Sequence, residues 1–345
     1  MNNDFSSILQ NIEKALAAAL PKEAPDGWKG DSFGPLSQAV SPLYLQNLIE
    51  ANKALIDLGG KRWRPLFLIL CYQLFKNDRA ITEEETYSLT PLVEFVHTAS
   101  LIHDDIEDKA DLRRGKPAAH ITYGLDTALN AASWLYFEAP VCINKSKISD
   151  ELKLTLYKVY TKELRRLHLG QAMDIYWHRN LEIFPSRDEY EAMVKCKTGT
   201  LASLAAQIGC LAAGLDADKA KYYGDIAAAI GKGFQIIDDV INLTSGNPGK
   251  KRGDDIVEGK KSLPVIMHIE ENPGDKEKIA ALMKKAAEEG INSPAVEECI
   301  SLLEKGHCIN KAAEEGIRTI KENCALFNSD RISELFTAMI PETFR

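Results

Sequence analysis

The sequence predicts an all-α protein, a single large helical bundle around a central cavity. Alanine, leucine, glutamate and lysine dominate, and apolar residues recur every three or four positions along most of the 345 residues. No segment has the bounded alternation of apolar and polar residues that is typical of a sheet core. The breaks between helical segments are short and rich in glycine and proline. We therefore expect about ten or more helices in one domain over residues 1–345.

Residues 1–41 are predicted to form an N-terminal helix and a loop, and residues 42–345 to form the core. The loop is expected at Pro21–Ser41, which is rich in Gly, Pro, Asp and Ser. Gly59–Gly60 ends the first core helix, and Pro65 occupies a favoured first-turn position of the next helix. The predicted helices are Asn11–Leu20, Leu43–Leu58, Leu66–Phe75, Glu83–Asp108, Leu125–Asn144, Asp150–Arg179, Arg187–Leu215, Lys219–Leu243, Ser262–Glu270, Lys276–Glu289, Pro294–Ala325 and Ser329–Met339.

Charge and cysteine content exclude several classes of protein. The formal net charge of -8 argues against a general nucleic-acid binder, which usually carries a basic face. Seven widely spaced cysteines without a CxxC pair indicate reduced core thiols and not a disulfide framework or a zinc cluster. The N-terminus lacks the pattern of a signal peptide, and the longest apolar stretches are too short to span a bilayer. We expect a cytoplasmic protein without an integral membrane segment.

The first chemical signal is an acidic cluster at the end of a predicted apolar helix. The segment HDDIED places Asp104 and Asp108 on one helical face, with Asp105 three residues before Asp108. Like charges at this spacing destabilise a helix by roughly 0.2–0.5 kcal/mol per pair, and burial makes them costlier unless something compensates them. Mg²⁺ provides such compensation, and it favours one or two carboxylates together with phosphate oxygens and waters. One such cluster alone is still more often a solvated helix end.

A second cluster repeats this arrangement in the segment FQIIDDVIN. Asp238 and Asp239 follow an apolar helix, and Asn242 is the polar residue at the next helical turn. Two clusters that both end buried apolar helices are harder to explain as solvated helix ends. If they face one another, they form a polynuclear metal site.

Basic residues are interleaved with the two acidic clusters. Lys61 and Arg64 lie where the flexible Gly59–Gly60 backbone meets a helix start, a place that favours anion binding. Further cations lie in Arg113–Lys116, at Lys197, in Lys250–Arg252 and at Lys260 and Lys261. Any one of these groups is more often a surface cluster, but their interleaving predicts more than one phosphate-bearing ligand.

The ordered motifs resemble those of the trans-isoprenyl diphosphate synthases, a family of all-α prenyltransferases. The resemblance spans about 200 residues and rests on the segments Gly59–Pro65, His97–Pro117, Gly170–Asp174, Lys197–Gly199, Phe234–Asn242 and Gly253–Pro264. It implies an enzyme that condenses isopentenyl diphosphate with an allylic diphosphate to give a longer trans-polyprenyl diphosphate. It also implies Mg²⁺ as cofactor, three ions per active site, and a homodimer.

The resemblance assigns roles to individual side chains. The implied metal ligands are Asp104, Asp105, Asp108, Asp238, Asp239 and Asn242. Isopentenyl diphosphate is implied to bind Lys61, Arg64, His97 and Arg114. The allylic diphosphate is implied to bind Arg113, Lys197, Thr198, Gln235, Lys251 and Lys260, with Gln171 and Asp174 flanking the reacting group. Asn242 stands where the family commonly has a third aspartate, and we expect it to be tolerated because it still offers an oxygen.

The helix that ends at Asp104 also bears on product length. Ala99 and Ser100 lie about 6–7.5 Å upstream along the helix axis, where short-product members of the family carry a bulky aromatic side chain. Two small residues there predict a geranylgeranyl or longer product. The aromatic segment Trp134–Phe137 either floors the product cavity or forms a helix-packing cluster.

Three alternatives stay open at this point. A farnesyl diphosphate synthase would differ only in product length. A class I terpene cyclase shares the fold and the first motif, but it needs no isopentenyl diphosphate pocket and usually carries NDxxSxxxE as its second motif. A non-catalytic subunit of a heteromeric synthase typically loses its aspartate motifs, whereas this chain keeps both.

Overall fold

The computed structural model describes residues 5–246 and 251–344, and its regular structure is almost entirely helical. In the described part of the chain, the only sheet is a hairpin that pairs β1 (Leu112–Arg113) with β2 (Lys116–Pro117). The all-α prediction is therefore confirmed. The chain divides into two compact units, Met1–Thr161 with Leu204–Tyr223, and Lys162–Ser203 with Gly224–Arg345. That the whole chain forms one domain stays a prediction.

The first unit contains the N-terminal helices and the hairpin. Its helices are α1 (Ser6–Ala19), α2 (Asp26–Phe33), α3 (Pro42–Asp57), α4 (Trp63–Phe75), α5 (Glu83–Ser88), α6 (Pro91–Glu107), α7 (Ala119–Tyr123), α8 (Leu125–Glu138) and α9 (Val141–Lys145), followed by the start of α10 (Asp150–Arg179). The helix α6 packs against α4 and α8, and α3 packs against α8. This packing buries Leu66–Tyr72 of α4, so the residues just before α4 are held beside α6.

The second unit has its own hydrophobic core, centred on α15 and the C-terminal helices. Its elements are α11 (Arg187–Val194), a π-helix (Lys195–Gly199), α12 (Thr200–Ala212), α13 (Ala217–Thr244), α14 (Asp254–Glu258), α15 (Leu263–Glu271), α16 (Lys276–Glu289), α17 (Pro294–Lys305), α18 (Cys308–Ala325) and α19 (Asp330–Met339), with 3₁₀ turns at Pro273–Asp275 and Glu342–Phe344. The helices α10, α12 and α13 contribute residues to both units. No described helix is both long enough and apolar enough to cross a membrane.

Several predicted boundaries differ from the observed ones for identifiable reasons. Three segments predicted as single helices are broken: Glu83–Asp108, Leu125–Asn144 and Pro294–Ala325. A fourth, Arg187–Leu215, is interrupted by the π-helix at Lys195–Gly199 and ends at Ala212. Pro91 and Pro140 break the first two because proline cannot donate a helical hydrogen bond, and His307 breaks the third at a left-handed φ of 56°. The predicted loop Pro21–Ser41 contains α2, which buries Trp28. The predicted break at residues 245–251 lies partly outside the described residues.

Candidate active site

A cationic cavity of about 350 Å³ lies in the first unit, where the loop before α4 meets α6. It is lined by Gly60, Lys61, Arg62, Trp63, Arg64, Glu94, His97 and Arg114. The four residues predicted to bind isopentenyl diphosphate are all in this set. Four cationic side chains and one carboxylate leave the cavity with an excess of positive charge, which favours a polyanionic ligand.

Arg64 and His97 are both partly buried and lie side by side in the lining of this cavity. The Arg64 Nη1 atom lies 3.3 Å from His97 Nε2. Burial, followed by the charge of Arg64, holds the pKa of His97 well below its usual value, so the imidazole is neutral and can accept a hydrogen bond. Burial also lowers the pKa of Arg64 to about 10. The Arg64 Nε atom is buried and has no hydrogen-bond partner among the described residues, so it can serve an anionic ligand.

The β1–β2 hairpin directs two neighbouring arginines to different partners. Its turn residues, Arg114 and Gly115, both have left-handed backbone, with φ values of 52° and 75°, as a tight two-residue hairpin turn requires. The Arg114 guanidinium donates to the Gly59 carbonyl oxygen and lines the cationic cavity. Arg113 instead reaches the end of α6. Two consecutive arginines of the hairpin therefore contact different regions. Arg113 contacts the aspartate cluster at the end of α6, and Arg114 lines the cationic cavity.

The first aspartate cluster has one buried and two more open carboxylates. Asp104 and Asp108 are partly exposed, whereas Asp105 is 1% exposed. The Arg113 Nε atom donates to both oxygens of Asp105, at 2.9 and 3.1 Å. Burial raises the pKa of Asp105, and the guanidinium of Arg113 opposes that rise. Asp105 is thus held by the hairpin, while Asp104 and Asp108 lie on the open side of the helix end.

The second cluster has the same division but different partners. Asp238 is exposed and Asp239 is 5% exposed. The Asp239 Oδ2 atom accepts from the Tyr190 hydroxyl at 2.7 Å and from the Leu263 amide at 3.1 Å, and Oδ1 accepts from Gln235 Nε2 at 3.0 Å. Burial raises the pKa of Asp239 to about 6, although these donors favour the ionised form. Neutral donors therefore hold the buried carboxylate here.

Asn242 holds the segment that follows the second cluster. It is buried, and its side-chain Oδ1 accepts from the Asp255 amide at 3.1 Å. Its backbone oxygen accepts from the Gly253 amide at 2.8 Å. Both bonds tie the start of the short helix α14 to the end of α13. The predicted role of Asn242 as a metal ligand stays a prediction, and the structure gives it a second role in chain geometry.

The KTG signal lies in the π-helix between α11 and α12. Lys197 Nζ donates to Asp174 Oδ2 at 2.6 Å, and Thr198 Oγ1 donates to Gln235 Oε1 at 2.7 Å. The close approach of α10 requires Gly170, because a Cβ atom there would lie 2.3 Å from the Lys197 amide nitrogen. The segments Gly170–Asp174 and Lys197–Gly199 are therefore packed directly against each other. Single-turn π-helices are frequent at functional sites.

Asp174 and Lys260 complete the polar groups of this region. Burial raises the pKa of Asp174, but the charges of Lys197 and Lys260 outweigh it and leave that pKa below its ordinary value. Lys260 also forms an ion pair with Glu258 of α14. Gln171 lies on α10 between Gly170 and Asp174 and is partly buried. The second unit thus gathers the predicted residues Gln171, Asp174, Lys197, Thr198, Gln235 and Lys260 around α10, the π-helix and α13.

Lys251 stands apart from this group. Its side chain is exposed, and its backbone amide donates to Asp254 Oδ2 at 2.6 Å. The neighbouring Lys250, which the sequence grouped with it, lies outside the described residues. The predicted contact between Lys251 and a diphosphate stays a prediction.

The two small residues proposed to control product length differ in environment. Ala99 is fully buried in α6. Ser100 is partly exposed, and its hydroxyl donates to the His97 carbonyl oxygen at 2.9 Å. An aromatic ring at residue 99 would have to displace neighbours in the packed core of the first unit.

The aromatic segment Trp134–Phe137 divides into three different environments. Trp134 packs against the rings of Trp28 and Phe33, with ring centroids 6.2 and 6.0 Å away. Tyr136 stacks on His103, the residue before the first aspartate, at a centroid distance of 5.5 Å. Phe137 is 77% exposed. Trp134 therefore forms a packing cluster, and Tyr136 is the ring that lies beside the first acidic motif.

The carboxylates suit a metal ion whose remaining coordination positions are filled by the phosphate oxygens of a substrate. Among the described residues, no group of three or more His, Cys, Asp or Glu side chains is placed to hold an ion. Asp104 and Asp108 lie in the first unit and Asp238 in the second. Mg²⁺ usually takes one or two carboxylates and fills its other positions with phosphate oxygens and waters. The donors present fit that mode of binding.

Sequence reasoning missed several residues that position these side chains. Glu94 and Arg62 form a buried ion pair at 2.6 Å beside the cationic cavity, and Tyr190 reaches Asp239 from α11. Glu94 is the one acidic residue within the apolar first part of α6, and a buried charge of this kind requires a partner. The position of Glu94 therefore predicts a buried cationic partner. Nothing in the sequence distinguishes Tyr190 from other core tyrosines.

An all-helical fold with two acidic helix ends and a cationic cavity is the arrangement of an isoprenoid synthase. The profile of the polyprenyl synthetase family matches residues 45–302, and the chain belongs to that family. The geranylgeranyl pyrophosphate synthase dpmpD of Macrophomina phaseolina is 36% identical over 83% of this chain and 86% of its own length. A short chain isoprenyl diphosphate synthase of Methanocaldococcus jannaschii is 35% identical over 74% of this chain and 76% of its own.

Solved structures agree with this assignment. The geranylgeranyl pyrophosphate synthetase of Pyrococcus horikoshii superposes with a TM-score of 0.79 and 26% identity, covering 98% of this chain and 95% of that one. The heptaprenyl diphosphate synthase of Staphylococcus aureus has a TM-score of 0.75 at 23% identity, over 100% and 98% of the two chains, and supports the fold alone. The predicted family and its prenyltransferase activity are thus confirmed.

Proposed function

We propose that this prenyltransferase condenses isopentenyl diphosphate with an allylic diphosphate in a Mg²⁺-dependent reaction, and that its product is geranylgeranyl diphosphate or a longer homologue. The observation that carries the proposal is the cavity lined by Lys61, Arg64, His97 and Arg114. The buried Arg64 Nε atom is a donor that an anion can satisfy. A terpene cyclase, which uses no isopentenyl diphosphate, has no need of such a cavity.

We propose Asp104, Asp108 and Asp238 as the principal metal ligands, because these three carboxylates are the more open members of the two clusters. Asp105, Asp239 and Asn242 complete the predicted set, and each also forms hydrogen bonds within the protein. When bound, Mg²⁺ withdraws negative charge from the diphosphate leaving group. Three ions per active site remain our proposal for the cofactor content.

The side chains assigned to the allylic diphosphate supply the remaining stabilisation of charge. They are Arg113, Lys197, Thr198, Gln235, Lys251 and Lys260. As the carbon–oxygen bond of the allylic substrate breaks, these groups stabilise the diphosphate anion that leaves. The double bond of isopentenyl diphosphate attacks the allylic cation and forms a carbon–carbon bond. A proton then passes to the released diphosphate, and a new allylic double bond forms.

The small side chains of Ala99 and Ser100, at the place where short-product members of the family carry a bulky aromatic, support a product longer than fifteen carbons. We expect Ala99→Phe to shorten the product, because the ring would occupy space along α6 upstream of Asp104. Reverse-phase chromatography of the dephosphorylated products measures this directly, with Ala99→Ser as the matched control. An unchanged product distribution would show that this face of α6 does not limit chain length.

We also propose a cytoplasmic homodimer. The first unit exposes large apolar side chains on α8 and on the start of α10, namely Leu125, Leu129, Phe137 and Leu154. Large exposed apolar side chains are typical of a surface that another protein covers when they lie close together, and we propose that these four form part of such a surface. All seven cysteines are free, which suits a reducing compartment. Sedimentation equilibrium tests the dimer.

One assay tests the reaction and its alternatives. The purified chain is incubated with Mg²⁺, isopentenyl diphosphate and geranyl or farnesyl diphosphate as primer. We expect chain growth that depends on isopentenyl diphosphate and stops with chelator. Cyclic hydrocarbons without chain growth would favour a cyclase, no turnover a non-catalytic subunit, and a product that stops at fifteen carbons a farnesyl diphosphate synthase.

A further inference from the structure

Arg62 lies between the two predicted ligand residues Lys61 and Arg64, yet its side chain is engaged by the protein. It is buried, and its backbone is left-handed, with a φ of 46° that few non-glycine residues adopt. The guanidinium donates to Glu13 of α1 at 2.7 Å, to Glu94 of α6 at 2.6 Å and to the Ile56 carbonyl oxygen. With a second, longer bond to Glu13, four donor contacts occupy a side chain that has five N–H groups. Little donor capacity is left for a ligand.

Among the residues that the structure describes, Glu94 is the only acidic side chain that lines the cationic cavity. Burial lowers the pKa of Arg64 and of Arg114, and the charge of Glu94 opposes both shifts. Burial raises the pKa of Glu94, and the charges of Arg62, Arg64 and Arg114 oppose that rise. Glu94, Arg64 and Arg114 therefore interact electrostatically. A carboxylate so placed competes with a diphosphate for the same two arginines unless another cation holds it.

We propose that Arg62 is a positioning residue that sequesters Glu94 and so keeps Arg64 and Arg114 available for the diphosphate of isopentenyl diphosphate. Glu13 holds Arg62 in turn and links the N-terminal helix α1 to the cavity. The inference rests on the proposed function, because it assumes that the cavity takes isopentenyl diphosphate. It assigns Arg62 no contact with the substrate.

This role predicts a rescue that a purely structural role does not. In Arg62→Met, Glu94 loses its partner and is free to pair with Arg64 or Arg114. We expect the KM for isopentenyl diphosphate to rise at least about tenfold, while the KM for the allylic primer changes by less than about twofold. In the double variant Arg62→Met with Glu94→Gln, no carboxylate competes, and we expect the KM to return to within about threefold of wild type.

Two further variants separate this role from stability. Arg187→Met removes an ion pair with Glu315 in the second unit and is expected to leave the KM for isopentenyl diphosphate unchanged. Glu94→Gln alone is expected to leave that KM at or below the wild-type value, because one negative charge leaves the cavity. Calorimetric titration of each variant with isopentenyl diphosphate alone repeats the comparison at equilibrium, and thermal unfolding records stability.

The outcomes distinguish the two proposals. A wild-type chain that shows no growth dependent on isopentenyl diphosphate refutes the proposed function. An active wild type in which the double variant binds as poorly as Arg62→Met, or in which Arg62→Met raises both KM values equally, overturns the positioning role alone. If Arg62→Met does not fold, Arg62→Gln replaces it, because an amide can keep a hydrogen bond to the Ile56 carbonyl oxygen but carries no charge to hold Glu94. The same rescue by Glu94→Gln is then required.

Discussion

The two aspartate clusters have the same order of exposure but hold their buried carboxylates by different means. In each, the first aspartate is open to solvent and the second is buried. Asp105 is paired with the cation of Arg113, whereas Asp239 is held by the neutral donors of Tyr190, Gln235 and the Leu263 amide. Burying a carboxylate costs free energy because the charge loses water. The charge of Arg113 offsets this cost at Asp105, and three hydrogen-bond donors offset it at Asp239.

The difference has a chemical meaning, because Arg113 is also predicted to bind the allylic diphosphate. In the first cluster, a change at the buried aspartate therefore reaches the substrate through a charged side chain. In the second cluster, Tyr190 and the Leu263 amide have no assigned contact with the substrate. Only Gln235, which is partly exposed, is also assigned to the allylic diphosphate. The first cluster should be the more sensitive to loss of its buried carboxylate.

The largest effects should come from the open aspartates. Asp104→Asn and Asp238→Asn each remove the charge of a proposed metal ligand, and we expect kcat/KM to fall by about 10²–10³-fold or more. Steady-state assays over a range of Mg²⁺ concentrations measure the loss, with Asp57→Asn on α3 as a control that leaves activity unchanged. Full activity in either variant would remove that residue from the ligand set.

A smaller effect is expected for Asp105→Asn. The amide cannot hold Arg113 by charge, so the arginine loses its orientation, and kcat/KM should fall by about 10–100-fold, as is typical for residues that orient a ligand group. The KM for the allylic substrate should change more than that for isopentenyl diphosphate. An equal change in both KM values would mean that Arg113 does not serve the allylic diphosphate.

Tyr190→Phe tests the neutral counterpart and should have a weaker effect. Two of the three donors to Asp239 remain, so we expect kcat/KM to fall by less than about tenfold and stability to fall by about 1–3 kcal/mol, the cost of a buried acceptor that loses one partner. Tyr222→Phe, at an exposed ring of α13, is the matched control. A loss greater than that of Asp105→Asn would reverse the comparison between the clusters.

The smallest effect on turnover is expected for Asn242→Asp. The carboxylate can still accept from the Asp255 amide, so α14 keeps its position, and activity should stay within about threefold of wild type. Thermal unfolding should register a modest loss, because the new charge is buried. An inactive but folded variant would show that the second cluster has been assigned wrongly.

Local sequence patterns predicted the long helices and the residues of the cationic cavity. Helical periodicity and the charged motifs located the long helices, and the bounds of Asp150–Arg179 and Lys276–Glu289 were predicted as observed. The same motifs placed Lys61, Arg64, His97 and Arg114, which line one cavity. Local patterns of this kind report which residue types lie on one face of one element.

What the sequence did not reveal were partnerships between distant residues. The bond from Tyr190 to Asp239 joins residues 49 positions apart, and that from Arg62 to Glu94 joins residues 32 apart. Which aspartate of each pair is buried also depends on packing by other elements. The helix breaks before Pro91 and Pro140 can be predicted from the sequence, because the free-energy cost of a proline within a helix depends only on the adjacent turn of that helix.

The π-helix at Lys195–Gly199 has a consequence for how this enzyme tolerates change in chain length. A π-helical turn contains one residue more than an α-helical one, so the side chains of α11 and α12 are out of phase by about 100° relative to an uninterrupted helix. Deleting a single residue here would convert the turn to α-helix. Lys197 and Thr198 would then rotate away from Asp174 and Gln235, although no side chain that contacts a substrate had been replaced.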